Sequence, residues 1–329
     1  MQMNFLLVKE GLDPTITEKE VKAMPISIFG FQALWSPFFI VAILFLITIY
    51  FLITVKWRKD FKYSEPLKRK EATFFMIAMI LLYFIKGSPL DLMGHIMFSF
   101  HMVQMALLYL VVPPLLILAI PNWLWESFLS LPVIKQVFKF FTRPIISVVL
   151  FNLMFSFYHI PLVFDTIKLS QTLHGTYTFV LFIFAIFMWW PLINKLPGHH
   201  QLHGLKKVGY LFADGVLLTP ACALIIFANN PVYATYSDAS IWLESMKLCV
   251  PVGTLSGLNL SGPELFSSLP VLEDQQLGGV VMKIIQEIVY GIVLAKIFFQ
   301  WFKKEQQDAD KITEAALLEK AELHPIQSK

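Results

Sequence analysis

Met93, Met97, His101 and Met105 follow one another at intervals of four. On an α-helix each step of four advances about 40°, so the four share one face. Thioether with imidazole is a soft ligand set that suits Cu(I) better than Zn or Mg. His95 precedes His101 by six residues, about 120° away around a helix and about 9 Å along it. It follows Asp91 by four, and a carboxylate so placed is a common support for a metal-bound imidazole. His95 and His101 can share one ion only if the helix is distorted or the ligating atoms converge from the sides. His159 and His174 stand at the ends of two further apolar stretches, and Asp274 just precedes the last one. The metal-ligating set expected from these positions is His95, Met97, His101, Met105, His159, His174 and Asp274, with Cu(I) as the ion.

Each of these residues also has a purely structural reading. A methionine stripe on an apolar helix is most often packing, and a lone buried His is most often hydrogen-bonded structure. Asp274 is a good N-cap for the last helix. Lys283 and Glu287, four apart, neutralise each other. Pro113 and Pro114 kink the helix that carries them. The His199, His200 and His203 run reads as a solvated loop, Cys222 as packing, and Cys249 as a thiol without an evident partner. Four His on three helices, all near one membrane surface, weigh against packing alone.

The elements that hold these residues are membrane helices. The 329 residues are 57% hydrophobic and only 15% charged, against about 25% charged in a soluble domain. Crossing the bilayer takes about 20 apolar residues, and seven stretches qualify: Gln32–Val55, Glu71–Lys86, Pro89–Ile120, Pro144–Pro161, Thr172–Asn194, Val208–Ala228 and Gly278–Phe302. The fold class is therefore all-α, a polytopic seven-helix membrane bundle; no alternating strands of a barrel occur. Of the 26 Lys and Arg, eighteen fall in the loops after the first, third and fifth spans and in the C-terminal tail. That side is expected to be cytoplasmic, which puts the N-terminus outside and the C-terminus inside, in the cell (plasma) membrane. The four His then lie in the outer half of the bilayer. The domain reading is an extracytoplasmic segment over 1–31, a transmembrane domain over 32–302 with an extracytoplasmic loop at 229–277, and a cytoplasmic tail over 303–329. The mixed charges of the first 30 residues do not read as a signal peptide.

Several classes drop out. A net charge of +3 gives no basic field for nucleic acid. Two Cys make neither a disulfide framework nor a zinc module. No phosphate-cradling glycine loop or nucleophile motif occurs, so the chain reads as non-enzymatic. Two alternatives stay open beside copper binding. One is a haem protein using paired His. The other is a metal or proton transporter, although polar residues in the inner leaflet thin out to Asp214 and Thr219.

The residues also carry a resemblance. MFSFHMVQMALLYLVVPPLLILAIP (Met97–Pro121), YHIP (Tyr158–Pro161), HGTYTFVLFIFAIFMWWPL (His174–Leu192) and EDQQLGGVVM (Glu273–Met282) together resemble the Bacillus-type CtaG family, assembly factors for haem–copper cytochrome c oxidase. The ordered set, from about Ser88 to Trp301 and over five spans, is specific. Many relatives carry a second His where this chain has Met105, a swap that favours Cu(I). The resemblance implies a role in maturing the oxidase at its copper sites, with oxidase subunits as partners, a copper-containing one among them. Homo-oligomerisation stays open.

Overall fold

The structure, a computed structural model, describes residues 23–258 and 260–323. Every regular element among them is helical. The thirteen helices of eight or more residues are α1 (Pro37–Phe51), α2 (Arg69–Gly87), α3 (Pro89–Ile96), α4 (Phe98–Ala106), α5 (Val112–Ala119), α6 (Asn122–Leu129), α7 (Pro132–Phe141), α8 (Pro144–Tyr158), α9 (Pro161–Lys168), α10 (Gln171–Ile193), α11 (Leu205–Ile226), α12 (Ala239–Met246) and α13 (Val271–Leu323). Five helical stretches are long and apolar enough to cross a membrane, and up to seven are if each of two bent pairs counts as one span. The bent pairs are α2 with α3, at 44°, and α7 with α8, at 78°.

The third expected span is not one helix. Met97 adopts extended backbone between α3 and α4, so the helix passing the length test here starts at Phe98. The break has partners on both sides. Ser88 caps α3, accepting from the Leu90 N–H at 3.2 Å, and Pro89 takes the first-turn position that needs no donor. At the start of α4 the Phe98 N–H donates to the Asp274 carboxylate at 2.7 Å, and the Ser99 hydroxyl donates to the same group. A carboxylate from α13 thus satisfies helix-start donors on α4.

Pro113 and Pro114 disturb the same segment in a second way. The backbone widens into a π-turn over Leu107–Val111 just before them. Pro113 has no N–H for the carbonyl of Tyr109, and that oxygen instead accepts the Trp189 indole N–H from α10 at 3.0 Å. Substitute donors from neighbouring helices are how membrane helices tolerate proline.

Phe151, Phe155, Tyr158, Trp189 and Trp190 are buried in the centre of the bundle, whereas α1 lies at its edge and exposes Phe38, Val41, Leu44 and Phe45. The glycine pair in α13 is a packing device. A Cβ on Gly278 would stand 2.8 Å from the Phe98 ring, and one on Gly279 would stand 2.6 Å from Ile226. The 229–277 loop contains α12 and packs its own apolar cluster, in which Trp242, Val250 and Phe266 meet Leu92 and Ile96 of α3 and Phe29 from the N-terminal side. Of the expected 1–31 segment, residues 1–22 lie outside the described residues. The tail continues α13 as one helix to Leu323, so α13 extends well past the bilayer's reach at about 1.5 Å per residue.

Candidate functional site

The break at Met97 changes the relation between His95 and His101. A continuous helix would hold them a fixed turn and a half apart. Instead α3 packs against α4 through Gly94, whose missing side chain leaves room for Gln104; a Cβ there would stand 2.8 Å from Gln104 Cδ and 3.5 Å from His101 Cα. Gln104 ties the arrangement together. Its Nε2 donates to the Ile85 carbonyl at 2.7 Å and to Asp91 Oδ1 at 2.9 Å.

Four imidazoles gather here as two pairs. The His95 and His174 rings lie 6.0 Å apart, centroid to centroid, and the His101 and His159 rings 6.3 Å apart. Tyr158 joins the pairs: its ring is 6.0 Å from His101 and 5.1 Å from His159, and its hydroxyl is 3.4 Å from His174 Nδ1. His95, His101 and His159 are buried, at 4%, 3% and 1% exposure.

Hydrogen bonding fixes which nitrogen is free. His95 Nδ1–H donates to the Asp91 backbone carbonyl at 2.9 Å, and His159 Nδ1–H to the Phe155 carbonyl at 2.8 Å. A carbonyl only accepts, so Nδ1 carries the proton and Nε2 of the neutral ring carries a lone pair. The Nε2 atoms of His95, His101 and His159 are all buried without a hydrogen-bond partner. For His95 and His159 this is the protonation state and orientation in which imidazole ligates a metal. The support expected from the Asp91 side chain comes from its backbone instead. The carboxylate is engaged by Lys86 at 2.8 Å and by Gln104.

Of the other expected ligands, Met105 follows His101 by one turn of α4. Met105 is buried in the bundle core, while Met97 packs against the outer apolar cluster. Met97 and Asp274 both line a recess of about 20 Å³ beside Glu264 and Tyr236. Asp274, in the first turn of α13, caps the neighbouring α4 and not its own helix. Among the described residues, no three His, Cys, Asp or Glu side chains converge at metal-binding distance. The geometry therefore offers paired imidazoles, and two nitrogen donors suit a d¹⁰ monovalent ion better than a tetrahedral dication.

A polar and aromatic lid covers the cluster. Tyr233 OH donates to the His159 carbonyl at 2.8 Å, and Tyr236 OH to the Gly94 carbonyl at 2.6 Å. Asp165 on α9 holds the segment bearing these tyrosines, accepting from the Ala234 N–H at 3.0 Å, the Thr235 N–H at 3.1 Å and the Thr235 hydroxyl at 2.8 Å. Phe164 stacks among the rings, 5.2 Å from His101.

Lys168, also on α9, is the residue that sequence reading missed. It is 1% exposed, and its Nζ has no hydrogen-bond partner. It lies 5.8 Å from the Tyr236 ring. Burial pushes its ammonium down to about 7, with Lys86 adding to the effect and Asp91 and Cys249 opposing it. In sequence it is the single basic residue between the fourth and fifth spans, and that isolation was the available signal.

A second polar group lies deeper in the bundle. Asp214 is fully buried on α11 and accepts from Asn152 Nδ2 at 2.5 Å and from the Tyr290 hydroxyl. Lys283 and Glu287 form the expected pair, at 3.5 Å.

A family model described as cytochrome c oxidase caa3 assembly factor (Caa3_CtaG) matches residues 48–304. Two curated relatives, uncharacterized proteins of Mycobacterium bovis and Mycobacterium tuberculosis, are each 25% identical over 246 residues. The match takes in 70% of this chain and 34% of each relative, so the chain spans about a third of the length of the curated relatives it matches. No solved structure matches.

Proposed function

The chain belongs to the cytochrome c oxidase caa3 assembly-factor family, and on that premise we propose that it carries Cu(I) as cargo in the imidazole cluster and hands it to a copper-containing oxidase subunit. The observation that carries this reading is the set of three buried Nε2 atoms, on His95, His101 and His159, with no partner inside the protein. Leaving a buried polar atom unsatisfied costs about 1–3 kcal/mol. Three together fit a site completed by something that brings its own positive charge.

His101 with His159, and His95 with His174, are the two pairs that would hold the ion. The protein's part is to orient the His95 and His159 rings through Nδ1, to exclude water with Phe164 and the tyrosine lid, and to keep the coordination number low enough for ligand exchange. The role is non-catalytic. The lysine- and arginine-rich ends of α8, α10 and α11 point away from the cluster, and the positive-inside rule makes those ends cytoplasmic. The cluster then lies in the extracytoplasmic half of the plasma membrane, under the 229–277 loop, where copper centres of an oxidase would be filled from outside.

The test is deletion of the gene followed by metal and haem analysis of the oxidase. Normal haem with missing copper, restored by the parent chain and not by H101A/H159A, is the expected result. An oxidase lacking haem as well, or one fully metallated, contradicts copper delivery.

A further inference from the structure

At the basic end of the bundle, away from the imidazoles, lies a cavity of about 500 Å³. It is enclosed by the first turn of α2, the end of α5, α6 and the end of α10. Its polar wall carries Lys70 and Lys195, and Trp123 and Trp190 line its other side. Phe74 and Leu118 give it an apolar flank.

Two cations of this wall stand outside any ion pair among the described residues. Lys68 is paired with Glu65 at 2.9 Å, and Glu71 accepts the Lys68 backbone N–H at 3.0 Å, capping α2. Lys70 and Lys195 have no ion pair among the described residues, and Glu71 and Glu126 are the lining acids outside one. The indole Nε1–H groups of Trp123 and Trp190 are buried without an acceptor, whereas that of the neighbouring Trp125 reaches the Ile117 carbonyl at 3.4 Å. The exposed ammonium groups of Lys70 and Lys195 are free to meet an oxyanion that lodges against the tryptophan rings.

The surroundings indicate where that occupant comes from. The adjoining α7 is amphipathic and exposes Val133, Val137 and Phe140, the pattern of a helix lying in a membrane interface. Tryptophan and lysine at this level are typical interfacial anchors. The cavity thus opens where lipid headgroups sit, and its apolar flank continues toward the acyl region.

We propose that this cavity is a binding site for the phosphate-bearing headgroup of an anionic phospholipid, with Lys70 and Lys195 as its counter-charges. A free phosphate shares the oxyanion chemistry but has no use for the apolar flank. The site is independent of the copper reading and can stand or fall without it.

The experiment uses the full chain in mild detergent, stripped of co-purified lipid. It is offered phosphatidylglycerol, phosphatidylcholine or inorganic phosphate, and bound molecules are counted by native mass spectrometry. The chain is expected to retain phosphatidylglycerol over phosphatidylcholine. K70Q/K195Q should weaken retention by about tenfold or more, as the loss of two near-surface cations predicts. Glu126→Gln should strengthen it. The melting temperature of K70Q/K195Q, substituted at two exposed positions, should match the parent's, which separates binding from folding. Equal retention of phosphatidylcholine, equal retention by K70Q/K195Q, or occupancy by inorganic phosphate with no lipid retained each overturns the proposal.

Discussion

His95 donates its Nδ1–H to the carbonyl oxygen of Asp91, one turn back along α3, at 2.9 Å. The bond turns Nε2 inward and leaves it bare. His159 repeats the device with Phe155 on α8. Two helices of different sequence thus present the same atom, in the same protonation state, to one region of the bundle.

A structural role and a ligand role for these rings predict opposite outcomes. If the rings serve only the fold, through their packing and the Nδ1–H bonds, replacing one by leucine lowers the melting temperature and leaves oxidase maturation intact. If they wait for an ion, His159→Leu should leave the melting temperature of the metal-free protein equal or higher, by up to about 1–3 kcal/mol of relieved desolvation, while oxidase maturation fails. Thermal melts beside a complementation assay read both. A variant that melts lower and still matures the oxidase argues for structure alone.

Gly94 is expected to be the sensitive hinge of the site. Gly94→Ala drives a methyl group into Gln104 and toward His101, and overpacking of this kind costs about 1–3 kcal/mol. The variant should lower the melting temperature and weaken Cu(I) binding together. Gly278→Ala, which meets Phe98, should lower stability by a similar amount. Gly175→Ala, with open space around its Cβ, serves as the neutral control.

Much of this architecture can be read from the chain. The apolar stretches become helices, the four His gather at one end, and the Lys283–Glu287 pair forms as its spacing indicates. The Met stripe is divided at Met97, because its periodicity assumes one continuous helix. Met97 is extended, so Met93 and Met97 pack in the outer cluster while Met105 stays in the core. The cause is a contact between residues 175 positions apart, the Asp274 carboxylate on Ser99, which no local pattern encodes. Asp165 is unreadable for a similar reason, and Lys168 shows only its isolation: each looks like a loop charge until the 229–277 segment folds over it.

Asp165 is expected to act as the latch of the lid. Asp165→Ala removes three hydrogen bonds to residues 234 and 235, a loss of about 1–2 kcal/mol comparable to a helix cap. The imidazoles beneath should then react faster with a histidine-modifying reagent, read by mass spectrometry. An unchanged labelling rate would mean that the lid is held by its apolar contacts alone.

Lys168 makes stability depend on pH with a definite sign. Its folded-state value lies below the ordinary ammonium value, at about 7, so the folded protein binds fewer protons than the unfolded chain between those limits. Stability therefore rises with pH from about 7 toward the ordinary lysine range, and the penalty is fully present below it. Lys168→Met should flatten that rise in melting temperature and raise the melting temperature most at neutral pH and below. A pH profile identical to that of the parent would mean that the ammonium finds a partner in solution.

The most direct measurement is a titration of the purified full chain with Cu(I) against a competing chromogenic chelator. It should be run on the parent, on H101A/H159A, and on M97L/M105L. The expected result is high-affinity binding by the parent, its loss in the double histidine variant, and its retention in the double methionine variant, because the ion is assigned to the paired imidazoles. Parent-like Cu(I) binding by H101A/H159A would contradict the assignment of the buried Nε2 atoms as the copper-holding groups.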